Sequence, residues 1–170
     1  MKLYIKNMVS FSCKVVVKHE IEKIGLHCKS VELGEVETEE DISADQYDQI
    51  KTVLQKFGLE FLNDKKSMLV EKIKAAIVES VHYTDEPIKV KFSDYLSARL
   101  KCSYWYLAKK FLEAQGTTIE KHMISHKIER VKELLIYNEL SLSEIAYKLN
   151  YSSVAHLSTQ FKKVTGLTPS

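Results

Sequence analysis

Two stretches in the back half of the chain carry the same pattern, and this repetition limits the possible fold more than any other feature. Residues 92–116, FSDYLSARLKCSYWYLAKKFLEAQG, read as a helix, a tight turn around Lys101 and Cys102, and a second helix. Residues 141–166, SLSEIAYKLNYSSVAHLSTQFKKVTG, read the same way. Leu96, Leu100, Leu107 and Phe111 in the first copy correspond to Ile145, Leu149, Leu157 and Phe161 in the second. Between the copies, TTIEKHMISHKIERVKELLIYNEL predicts one helix, capped by Thr117 or Thr118 and running to about Tyr137. Roughly 20 helical residues span about 30 Å. That is close to the roughly 34–36 Å between paired helices that enter successive major grooves of a duplex.

The final helix shows what such a pair would present. Leu157, Phe161 and Val164 recur with helical spacing and are expected to face inward. Ala155, His156, Thr159, Gln160 and Lys163 are then left outside. This outer face combines small donors and acceptors with positive charge and lacks the Glu–Lys ladder of an ordinary solvated helix. It reads as a base-reading face.

The front half has a different character. KLYIKN (2–7) predicts a strand, and CKVVVKHEIEKIG (13–25) a helix closed by Gly25. HCKSVEL and EVETEE flank Gly34 as the arms of a hairpin. SADQYDQIKTVLQKFG (43–58) predicts a helix capped by Ser43, with Tyr47, Ile50, Val53, Leu54 and Phe57 as its apolar stripe. LEFL makes a last short strand, giving the βαββαβ order of a ferredoxin-like domain. A long amphipathic helix follows over 63–83, opening on Asn63 and Asp64, with Leu69, Ile73, Ile77 and Val81 four apart. The fold class expected is α+β: a ferredoxin-like domain over 1–63, a linker helix and linker over 64–87, and an all-α double helix-turn-helix domain over 88–170. Charge divides in step. Residues 1–63 hold 8 Lys against 11 Asp and Glu, whereas residues 84–170 hold 13 Lys and Arg against 9. An acidic front and a basic back suggest different partners for the two parts.

The residues 88–170 resemble the DNA-binding domain of the AraC/XylS family of bacterial transcription regulators. The resemblance rests on LSLSEIAYKLNYSSVAHLSTQFKKVTGLTP, in particular Ile145-Ala146, the aromatic Tyr151, Phe161-Lys162-Lys163, Gly166 and Pro169. Where the family pattern has Gly this chain has Asn150, a residue that tolerates a left-handed backbone. The pattern runs about one helix beyond Pro169, so the domain is expected to be truncated at Ser170. The resemblance implies base-reading positions at Trp105, Ala108 and Lys109 in the first reading helix, and at Ala155, His156 and Thr159 in the second, with Val154 half buried beside them. Lys110, Lys162 and Lys163 are expected on phosphates, which position the protein without specifying sequence. Tyr104, Ser152 and Ser153 at the helix starts complete the set. Trp105 is expected to face the duplex, because Leu107 and Phe111 already fill the inward positions of its helix.

The front resembles the heavy-metal-associated domain of copper chaperones and metal-pumping ATPases, on its element order and on KNMVSFSC at the metal loop. The family loop reads M-x-C-x-x-C and clamps Cu(I) or another soft ion between two thiolates. Met8 and Cys13 match, while Ser10 stands at the first cysteine position. A hydroxyl is a poor ligand for a soft metal, so the expected binding is weak. Cys28 is the other thiol that could serve, although a buried structural role is expected for it.

Other chemistry is sparse. The five glycines are isolated, with no phosphate-cradling loop, and no nucleophile–base arrangement is legible, so no enzyme is expected. His122 and His126 lie one helical turn apart, a zinc-capable spacing, but the sequence shows no third ligand and the polar side of a helix is expected instead. No apolar run is long enough to cross a bilayer, and three widely separated cysteines suit a reducing cytoplasm better than a disulfide framework. The expectation is a cytoplasmic, sequence-specific transcription regulator with the front as a sensor or dimerisation module. Its partners are double-stranded DNA, a second copy of the chain and, by the resemblance, RNA polymerase. The alternative is a metal-trafficking protein that uses the front domain.

Overall fold

In the computed structural model, which describes residues 1–62, 65–84 and 86–170, the front of the chain alternates strands and helices as the sequence predicts. The order is β1 (Lys2–Lys6), α1 (Phe11–Lys23), β2 (Cys28–Glu32), β3 (Glu35–Thr38), α2 (Ala44–Gln55) and β4 (Glu60–Phe61). The strands form one sheet in the order β2-β3-β1-β4, and all of its pairings are antiparallel. Leu3 of β1 and Val31 of β2 both register with Val36 of β3, which is fully buried. Gly34 makes the β2–β3 turn at φ +85, a left-handed conformation that a side chain would strain. Its carbonyl accepts from Ile5 N at 2.9 Å, tying the turn to β1.

α1 and α2 are each set by a serine. Ser10 caps α1 by accepting from Cys13 N, which starts the helix two residues earlier than the apolar pattern suggests. Ser43 caps α2 in a reciprocal capping box with Gln46. Val17 and Ile21 of α1 and Ile50 and Leu54 of α2 are fully buried one turn apart. Tyr47 stacks on Phe61 with ring centroids 4.7 Å apart. Phe57, expected in the apolar stripe, is instead 53% exposed, because α2 closes at Lys56 and the chain turns away before Gly58.

α3 (Lys65–His82) is a helix of 18 residues. Asn63 and Asp64, expected to start it, lie outside the described residues. Ile73, Ile77 and Val81 are buried as their spacing predicts, and Val70, Ala75, Ala76 and Val78 are buried with them. The chain divides into two compact units inside this helix, Met1–Ala75 and Ala76–Ser170.

The second unit is helical. After the end of α3 come α4 (Phe92–Leu100), α5 (Tyr104–Gln115), α6 (Ile119–Tyr137), α7 (Leu142–Lys148) and α8 (Val154–Thr165). Four of the five start on a hydroxyl cap: Ser103, Thr118, Ser141 and Ser153. Left-handed residues end α4 at Lys101, α5 at Gly116, α6 at Asn138 and α8 at Gly166. Asn150, in the turn between α7 and α8, has φ 60. The left-handed backbone expected there is present on a residue whose polar side chain tolerates it. Its Nδ2 also donates to Ile88 O at 3.2 Å. The core around α7 and α8 gathers Val81, Ile128, Val131, Ile145, Leu149, Leu157 and Phe161.

Candidate nucleic-acid interface

α5 and α8 are the second helices of two helix–turn–helix pairs, each held by the same internal anchors. Leu107 and Phe111 hold α5, and Leu157 and Phe161 hold α8, all at or near full burial. With those positions fixed by packing, the faces turned the other way are determined. On α5, Trp105 is 70% exposed, and the Lys109 ammonium lies 5.1 Å from its ring, within cation–π range. Lys110 lies over the Tyr106 ring at 5.7 Å and within 3.7 Å of Glu113, so its charge is partly occupied. Ala108 is half buried. Tyr104 is half buried as well, and its hydroxyl donates to the Glu120 carboxylate of α6. Burial, and then that carboxylate, hold the phenol well above its ordinary value.

On α8, Ala155, His156, Thr159, Lys162 and Lys163 are exposed and Val154 is half buried. Ser152 and Ser153 are exposed at its start. Ser153 accepts from His156 N at 3.0 Å, and Ser152 Oγ meets His156 Nδ1 at 3.2 Å. The ring of His156 stands edge-on to Tyr151, centroids 5.2 Å apart. Two expectations for this helix are corrected. Val164 is 51% exposed, because it lies in the last turn beyond the reach of the core. Gln160 is half buried rather than outward, because its side-chain oxygen accepts from the Tyr151 hydroxyl at 2.6 Å. Tyr151 is 7% exposed, and burial pushes its phenol up to about 12, which keeps it a neutral donor.

Tyr151 is the residue that sequence reasoning undervalued. The Lys127 ammonium of α6 lies 5.1 Å from its ring, and Lys127 is itself held below its ordinary value by burial. The Lys127–Tyr151–Gln160 chain therefore connects α6 to the middle of α8. Its signal in the sequence was an aromatic in the turn, two residues ahead of the Ser153 cap.

In the first unit, the segment expected to form a metal loop leads into α1. Met8 is only 4% exposed. Ser10 Oγ accepts from Cys13 N and donates to Cys13 Sγ, each at 3.4 Å. Burial alone would push the Cys13 thiol up, but the Ser10 hydroxyl and the surrounding backbone groups outweigh it and hold the thiol below its ordinary value. Cys28 is half buried, not buried as expected, and burial raises its thiol. Cys13, Cys28 and Cys102 are all free thiols. Among the described residues no helix is long and apolar enough to cross a membrane.

Comparison with known proteins places the second unit. Residues 96–170 match the family model of a helix-turn-helix domain. The xylose operon regulatory protein of Escherichia coli K12 is 32% identical over 96 residues, covering 55% of this chain and 24% of the regulator. The chain thus spans about a quarter of that curated relative. The C-terminal domain of the two-component response regulator yesN from Fusobacterium nucleatum superposes with a TM-score of 0.50 at 30% identity, over 58% of this chain and 91% of that one. The C-terminal domain of AraT, a response regulator from Geobacillus stearothermophilus, gives 0.52 at 24% identity over 62% and 84%. The matched family consists of DNA-binding regulators, not enzymes. The C-terminal part of this chain is a helix-turn-helix domain of the AraC type, with regulators of the AraC/XylS family as its homologues.

Proposed function

We propose that this chain acts as a sequence-specific transcription regulator that docks α5 and α8 in two major grooves of one duplex. The observation that supports this most is the pair of matched helix–turn–helix units joined by α6. Its 19 residues are about 28 Å long. On this reading Trp105, Ala108, Lys109, Ala155, His156 and Thr159 meet base edges, while Lys110, Lys162 and Lys163 lie on phosphates. Tyr104, bound to Glu120, and Ser153, spent on capping α8, serve mainly to place their helices. The partners are double-stranded DNA, RNA polymerase and a second copy of the chain, in the cytoplasm. The test is selection of bound duplexes from a random pool, followed by protection mapping. Enrichment of a sequence protected in two adjacent major grooves is the expected result, and recovery of an unenriched pool would overturn the reading.

The first unit is proposed to be ferredoxin-like and to serve as sensor or dimerisation module. Its βαββαβ order and all-antiparallel β2-β3-β1-β4 sheet support the fold. The heavy-metal-associated resemblance extends to a weak Cu(I) site at Cys13. A buried Met8 and a Ser10 engaged in capping leave one thiolate, and a soft ion prefers two sulfurs. Ser10→Cys is expected to raise Cu(I) affinity strongly. Tight one-to-one binding by the unaltered chain that survives Cys28→Ser would be the contrary result.

A further inference from the structure

The last residue of α3 is His82, and the first turns of α6 carry His122 and His126. His82 and His126 are separated by 44 positions in the chain, yet His82 Nε2 lies 3.1 Å from His126 Nδ1. Their ring centroids are 5.3 Å apart and their planes nearly perpendicular, at 80°. The His122 ring lies 4.9 Å from that of His126 on the same face of α6. The zinc-capable pair that the sequence shows therefore gains its third imidazole from α3.

We propose that His82, His122 and His126 form a binding site for a first-row divalent transition metal, zinc above all. A tetrahedral zinc ion with Zn–N bonds of about 2.0–2.1 Å holds its donor atoms about 3.3 Å apart. The His82–His126 nitrogen pair stands near that spacing already. In the metal-free protein those two nitrogens share one proton in a hydrogen bond. On binding, it moves to the other nitrogen of the donor ring, so both rings stay neutral and both lone pairs turn to the ion. His122 joins by a side-chain rotation, since its ring now stands edge-on to Phe111 with centroids 5.4 Å apart. Glu133 and Glu129 act electrostatically on His82, and Glu129 on His126 as well, so the fourth position falls to one of these carboxylates or to water. Three imidazoles with a carboxylate or a water suit zinc, nickel or copper(II) rather than calcium or magnesium.

The surroundings fit the same use. Burial, with His122 and His82 as like neighbours, lowers His126 to about 4, and burial lowers His82. A second mixed group, His27 with Glu39 and Glu40, lies in the first unit. His27 there is exposed and already ion-paired to Glu40 at 2.5 Å. It is the competitor that any test must separate.

The experiment is titration of the reduced full chain with Co²⁺ as a spectroscopic stand-in, followed by Zn²⁺. One Co²⁺ per chain is expected, with visible d–d bands of tetrahedral intensity, no thiolate charge-transfer absorption, and displacement by one equivalent of Zn²⁺. His82→Gln or His126→Gln should weaken binding at least tenfold, and His27→Gln should leave it unchanged. Circular dichroism reports whether each variant is folded. The unaltered protein gives an independent readout, because diamagnetic Zn²⁺ should shift the imidazole proton resonances of His82, His122 and His126 and not those of His27. Absence of binding, thiolate absorption, or perturbation confined to His27 would overturn the assignment.

Discussion

Trp105 and Lys109 stand together on α5, an exposed indole with an ammonium 5.1 Å from its ring. As the single tryptophan, Trp105 should emit as a solvated indole and blue-shift or quench when a selected duplex is added. Lys109→Ala should relax base preference at one position, at a cost of about 1–3 kcal/mol if it removes a bidentate guanine contact. Lys163→Ala should instead weaken all sequences about equally and lower the slope of log affinity against log salt by about 1. Binding isotherms on a panel of single-base variants separate the two, and a reversed pattern would exchange the roles. In the first unit, the Glu40 hydrogen bond, and then its charge, raise the His27 imidazole above the ordinary value near 6.5. A raised folded-state value means that any stabilisation is complete below the unfolded value and is lost as pH rises through the folded one. The pair is exposed, so its effect belongs in an NMR titration rather than in a melting curve. The His27 midpoint should lie above the ordinary histidine value and fall back in Glu40→Gln.

α8 shows how cap and core can be told apart from contact. Ser153→Ala should destabilise the second unit by about 1 kcal/mol through loss of the cap to His156 N. Ser153→Asp caps as well but places a carboxylate toward phosphates. It should therefore keep the stability in urea unfolding while lowering DNA affinity. If Ser153→Asp bound DNA as well as the parent, the helix start would not face the duplex. Leu157→Ala, at a fully buried position, should cost about 2–5 kcal/mol and lose binding only through unfolding. These elements were legible because their determinants are local: a hydroxyl before each helix, apolar residues three and four apart, and Gly or Asn at the ends. What was not legible depended on where each helix runs out or on distant partners. Val164 and Phe57 continue an apolar stripe on paper, but the last turn of one helix and the exit of the other carry them into solvent. Gln160 has the right spacing for an outer face and turns aside because Tyr151 offers it a hydroxyl. His126 gives no local sign of His82, since periodicity carries no information across 44 positions.

The division of the chain inside α3 has a consequence for how the DNA-binding part can be isolated. Composition places the boundary near Pro87, where the sequence turns basic and helical. The compact units divide between Ala75 and Ala76, and we propose that the functional domain begins there. Residues 76–82 supply the helical unit with Val81, which is 3% exposed in the core with Ile128, Ile145 and Leu157. They also supply Glu79, whose carboxylate lies 2.5 Å from the Arg99 guanidinium of α4, and His82 beside His126. A chain begun at Ile88 loses all three. Exposing the space filled by Val81 alone is worth about 1.5–3 kcal/mol, and Arg99 is left without its carboxylate. A chain begun at Ala76 should therefore unfold at higher urea than one begun at Ile88, with a larger m-value, because more surface is buried. Both should select the same duplex sequence, since neither cut removes a residue of α5 or α8. If the two fragments unfolded at the same midpoint, the end of α3 would contribute nothing to the helical unit, and the boundary would belong at the proline after all.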